Sequence, residues 1–137
     1  MIQVLLLTRG GLAEEWLRAT EAVRGETAEG IEALILDWDS ACDTDRAHVC
    51  TTIASLRAKG PLLVLTDLHG STPSNLAAEH AEDPELVVVA GANLAMVLRL
   101  ACEPRTGRTL DELTEWICAK GRAAITPIPG RPPADVP

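Results

Sequence analysis

Two remote stretches of this chain carry side chains able to handle an anion or pass a proton. One is Thr8, Arg9, Gly10 and Gly11; the other runs Asp67, Leu68, His69, Gly70, Ser71, Thr72, Pro73, Ser74 and Asn75. Between them they offer a guanidinium, a carboxylate, an imidazole and several hydroxyls. Guanidinium is a planar fork for carboxylate or phosphate, imidazole can act as a nucleophile or proton carrier, and hydroxyls at a helix start can cap it or hold an anion. Each stretch follows a strand-like apolar run and opens a helix-like one. In an open parallel sheet such turns lie at the carboxyl ends of the strands, where ligands of these folds sit.

The elements that must position them can be read from hydrophobic patterning. Runs 2–7, 31–36, 62–66 and 86–90 are short and continuously apolar, as expected of strands covered on both faces. Leu12, Trp16, Ala19 and Val23 recur at helical spacing, and Gly25 ends that pattern. Residues 45–59 repeat it through Val49, Ile53 and Leu56 until Gly60 and Pro61 stop it. A third helix is expected from Thr72, with the Thr72 hydroxyl as its cap and Pro73 in its first turn. Runs 91–101 and 110–121 read as two further helices. The fold expected is a doubly wound α/β domain over residues 1–128: a mostly parallel four-stranded sheet, helices on both faces, and 123–128 as a candidate fifth edge strand. Residues 129–137 form a proline-rich tail.

With 137 residues the chain suits one domain. Its 20 acidic against 12 basic side chains give a formal charge of -8, which disfavours nucleic acid and anionic membrane surfaces as partners. Trp16, Trp38 and Trp116 are its only aromatics, too few for a base-stacking platform. Cys42, Cys50, Cys102 and Cys118 include no C-x-x-C pair, and the apolar start is too short for a leader or membrane span, so reduced thiols in the cytoplasm are expected. The stretch Asp37, Asp39, Cys42, Asp43, Asp45, His48 and Cys50 lacks the pattern of a calcium loop or zinc site, and reads as a solvated acidic loop with helix-capping Asp residues. Gly10 and Gly11 are too few for a nucleotide fingerprint. No metal and no cofactor are expected.

Taken together, the two turns resemble those of IIA components of the mannose and fructose family of the bacterial phosphotransferase system. That family has Thr-His-Gly after its first strand and Asp-x-aromatic-Gly-Gly-Ser/Thr-Pro-x-Asn after its third. Asp67, Gly70, Thr72, Pro73 and Asn75 match the second motif, with His69 in the aromatic place and Ser71 in that of the second glycine. Gly11 to Glu14 and Ala90 to Met96 match as well, with Ala95 where proline is usual. The resemblance implies a sugar phosphotransferase component whose partners are the small histidine-containing phosphocarrier and a IIB component, and which forms a homodimer.

Arg9 stands where the family has its phosphate-accepting histidine. Guanidinium stays protonated and has no free lone pair, so Arg9 is not expected to carry phosphate. The resemblance places Arg9 against Asp67, and an ion pair between them is the expectation. That pair can be a clamp closing a silent site, or Arg9 with Gly10, Ser71 and Thr72 can hold an anion. The leading expectation is a regulatory or interaction protein that has lost histidine phosphotransfer. The alternatives are a working phosphocarrier that uses His69 and relays phosphate to a IIB component, and a small-anion-binding module.

Overall fold

The computed structural model describes residues 1–130, so the segment 131–137, most of the expected tail, lies outside the described residues. The strands are β1 (Gln3–Arg9), β2 (Ile31–Leu36), β3 (Leu62–Leu65) and β4 (Leu86–Val89). The helices are α1 (Leu12–Arg24), α2 (Cys42–Arg57), α3 (Thr72–Ala78), α4 (Leu94–Cys102) and α5 (Leu110–Ala123). All strand pairings are parallel and the order is β2-β1-β3-β4. This is the α/β architecture expected, with each crossover a helix.

Side-chain alternation along the central strands sorts the core into two layers. Val4 and Leu6 of β1 with Leu63 and Leu65 of β3 face α1, α4 and α5, meeting Ala13, Met96, Val97, Leu100, Leu113 and Ile117. Leu5 and Leu7 with Leu62 and Val64 face α2 and α3, meeting Val49, Ile53, Leu56, Leu76 and Ala77. Burying a Leu or Val side chain contributes about 1.5–3 kcal/mol, which makes these layers the main source of stability. The carboxyl end of β1 is therefore fixed between two packed layers.

Three expectations shift. The segment 123–128 is not a strand: α5 runs on to Ala123, and the chain beyond it is irregular, with Ile125 and Ile128 exposed. Pro127 falls inside it and Pro129 directly follows it, and neither can donate to a ladder. The cap of α3 is Ser71, one residue before Thr72; the Ser71 hydroxyl accepts the Ser74 amide at 3.3 Å, which leaves Thr72 in the first turn. The acidic loop before α2 supplies no cap either, since position 41 is alanine and the acids Asp43 and Asp45 fall within the first turn, where the helix dipole favours them.

Candidate functional site

The site forms at the carboxyl end of β1, where Arg9 is the last strand residue. Alternation puts Arg9 on the same side as Leu5 and Leu7, the side covered by α2 and α3. In the register of the sheet Arg9 sits beside Leu36, the last residue of β2, so the loop 37–41 passes directly alongside. Arg9 Nη1 donates to the Asp37 carbonyl at 2.6 Å, and Nη2 lies 3.6 Å from Asp45 Oδ2. Asp45, on α2, is 1% exposed. The Ser40 hydroxyl lies 2.6 Å from Asp45 Oδ1 and 2.8 Å from the Asp37 carbonyl; its single proton suits the carboxylate, the stronger acceptor.

Trp38 closes the cluster from outside. The Arg9 guanidinium carbon is 5.9 Å from the centre of its ring, at the outer reach of a cation–π contact. Gly10 adopts φ +68, and a Cβ there would lie 2.6 Å from Trp38 Nε1. Glycine at this position therefore serves both the left-handed backbone and the approach of the indole.

The expected Arg9–Asp67 ion pair is replaced by Arg9–Asp45. The reason is geometric: Arg9 points to the α2 side, and Asp45 is already held there by Ser40. Asp67 lies past the end of β3, half-buried, and makes no ion pair among the described residues. The expected solvated acidic loop holds for Asp37, Asp39 and Asp43, which are exposed, and fails for Asp45. Among the described residues no group of three or more metal-ligating side chains assembles.

The second loop packs on its own hydrogen bonds. The Gly70 amide donates to Ser74 Oγ at 3.3 Å and Asn75 Nδ2 donates to the Gly70 carbonyl at 3.3 Å. Ser71 is engaged as the cap, and Thr72 is half-buried beside it. His69 is exposed and lines a cleft of about 440 Å³ with Ser74, Asn75, Leu86, Val88 and Ala90, between α3 and the edge strand β4. Thus Arg9 and Gly10 are gathered with Asp37, Trp38, Ser40 and Asp45, while His69, Ser71 and Thr72 belong to the neighbouring loop.

Sequence reasoning missed Asp45, Ser40 and Trp38 as members of the site. A signal for Asp45 was present, because it precedes Val49, Ile53 and Leu56 at spacings of 4, 8 and 11 along α2 and so shares their buried face. Trp38 and Ser40 carry no such periodic signal.

Comparison with known proteins accords with the fold and the motifs. A family profile described as PTS system fructose IIA component matches residues 3–118. The structure is similar to the mannose/sorbose specific IIA subunit of the phosphotransferase system from Enterococcus faecalis, at 32% identity over 96% of this chain and 98% of that one, with a TM-score of 0.82. It also shares its fold with the PTS IIA protein associated with the fucose utilization operon from Streptococcus pneumoniae, at 21% identity, 92% coverage of each chain and a TM-score of 0.81. EIIA from Streptococcus agalactiae gives 21% identity, covers 93% of this chain and 97% of that one, and has a TM-score of 0.79. No match was found among curated proteins. No helix among the described residues is long and apolar enough to cross a membrane. With a profile match across most of its length and a similar IIA subunit spanning nearly all of it, the chain belongs to the IIA components of the mannose/fructose type of the phosphotransferase system.

Proposed function

We propose that this chain serves its phosphotransferase system as a regulatory or interaction component and does not carry phosphate on the β1 turn. The observation that supports this most directly is the engagement of Arg9 with Asp45 and the Asp37 carbonyl. A group that accepts phosphate needs a lone pair and freedom to meet the donor in line. Arg9 has neither, since its guanidinium stays protonated and is tied down from two directions. The surrounding fold is intact, so a docking face for the small histidine-containing phosphocarrier or a IIB component is kept.

The test is intact mass after incubation with phosphoenolpyruvate, enzyme I and the histidine-containing phosphocarrier, held alkaline to preserve phosphohistidine. The natural chain, Arg9→His and His69→Ala are run together. No adduct on the natural chain is the expected result, and an adduct appearing on Arg9→His would localise the loss to that position. An adduct on the natural chain that vanishes in His69→Ala would overturn the reading in favour of a carrier at His69. That alternative draws support from the exposure of His69 at the mouth of its cleft.

We also propose that the chain pairs with a second copy through the edge of β4, which no other strand covers among the described residues. Val87, Val88 and Val89 are only half-buried there, and Ile125 and Ile128 expose apolar surface on the segment that leaves α5. A strand edge without a strand neighbour among the described residues, with exposed apolar side chains in the same chain, favours pairing. Sedimentation should give a dimer mass for the natural chain and a monomer mass for Ile125→Asp with Ile128→Asp; a monomer for the natural chain sinks the idea.

A further inference from the structure

The loop between α4 and α5 lies at the amino-terminal edge of the sheet, the opposite end from Arg9. It faces Ile2, just before β1, and Pro61, just before β3, across an open cleft of about 310 Å³ lined also by Met1, Arg105, Thr106, Gly107 and Arg108. Among the described residues no carboxylate lines this cleft, although the chain as a whole carries a charge of -8. Its volume lies at the small end of the range of small-molecule sites.

Arg105 is 6% exposed and makes no ion pair among the described residues, which is unusual for an arginine. Its Nη2 donates to the Glu29 carbonyl and lies 3.5 Å from the Met1 sulfur, a weak acceptor. Its Nη1 is buried with no hydrogen-bond partner among the described residues, and the same holds for Arg108 Nη1. Burial pushes the Arg105 guanidinium below its usual value, with Glu29 opposing that fall and Arg24 adding to it. Arg108 stacks on Trp116, its guanidinium carbon 4.1 Å from the centre of the ring, which holds it beside the cleft. Room for Arg105 depends on Gly30, where a Cβ would lie 2.7 Å from Arg105 Nη2. Both arginines thus line one opening, and each keeps a buried Nη1 without a partner among the described residues. Buried donors left unpaired are costly and rare, and the acceptor that best satisfies paired guanidinium forks is an oxyanion.

We propose that this cleft binds the phosphate group of a small molecule, with Arg105 and Arg108 as its charged contacts and Thr106 at its rim. Met1, half-exposed, covers Arg105 with its thioether and gives way when phosphate oxygens take the sulfur's place. The site is independent of the Arg9 cluster and of whether the chain carries phosphate.

The test is two-dimensional amide NMR of the whole chain titrated with inorganic phosphate and, separately, glycerol 3-phosphate, against chloride at equal ionic strength. Saturable shifts at Thr106 and Gly107, with a dissociation constant on the order of millimolar, are expected for phosphate and not for chloride. Tighter binding of the monoester would identify a phosphorylated metabolite as the ligand, and equal binding the phosphate group alone; either supports the site. Arg108→Ala, at a half-exposed position, should weaken binding about tenfold by removing one charge-assisted contact while leaving the rest of the spectrum unchanged. Arg108→Lys should recover part of it. Shifts matched by chloride, shifts confined to Gly10 and Gly70 at the other end, or binding unaffected by Arg108→Ala would each overturn the proposal.

Discussion

Replacing Asp45 by alanine gives the sharpest test of how the β1 turn is held. The substitution removes a carboxylate that is 1% exposed, its 2.6 Å hydrogen bond from Ser40 and its 3.6 Å contact with Arg9. A hydrogen bond to a charged group contributes about 1.5–3 kcal/mol, and a negative charge in the first turn of a helix about 0.3–1 kcal/mol. Breaking a fully buried ion pair costs about 3–5 kcal/mol, but the Arg9 side chain is 19% exposed and can recover water, so only part of that applies. The expected loss is about 2–3 kcal/mol, or roughly 6–12 °C in Tm for a domain of this size. The assay is urea and thermal unfolding of Asp45→Ala, Arg9→Met and the double variant. Their coupling should be about 1 kcal/mol, since removing Arg9 first leaves Asp45 with less to lose. A loss below about 0.5 kcal/mol, or additive effects in the double variant, would refute the clamp.

Other perturbations probe neighbouring features. Ser71→Ala should destabilise by about 1 kcal/mol through loss of the α3 cap, whereas Thr72→Val should cost less; equal losses would return the cap to Thr72. Gly10→Ala should cost about 1–2 kcal/mol for the left-handed backbone and also displace Trp38, read as a change in indole fluorescence; an unchanged emission would deny their contact. Asp83 is held below its usual carboxylate value by Arg57, which donates to it at 2.7 Å, and by the Glu85 amide. A carboxyl depressed on folding stabilises fully above its unfolded value, near pH 4, and that contribution is lost as pH falls through the folded value. Asp83→Asn should therefore lower stability at pH 7 and flatten its acid dependence; identical pH profiles for both chains would contradict this.

The strands were legible because both faces of each are covered, which forces unbroken apolar runs such as 62–66. The α1 stop at Gly25 and the α2 stop before Gly60 were legible for the same local reason, a residue that ends a helical pattern. The partner of Arg9 was not, because it depends on which face of β1 a strand-end residue occupies and on which loop passes there. The pleat supplies the answer once the strand is phased on Leu5 and Leu7, and the spacing of Asp45 from Val49 supplies the other half. The segment 123–128 looked strand-like through Ile125 and Ile128, yet a strand exists only with a ladder partner, and sequence alone does not provide one.

The pairing of Arg9 with Asp45 also fixes what a partner meets at this end of the sheet. A histidine that gains and loses phosphate alternates between two charge states, and a docking surface built around it changes with them. Here a guanidinium lies 3.6 Å from a buried carboxylate, so the turn presents a paired charge in place of an imidazole. On the reading proposed above, a protein able to tell loaded from unloaded IIA components would meet a subunit frozen in one message. If the chain carries no phosphate, as proposed, what such a subunit conveys is its own abundance, and it would act by stoichiometry.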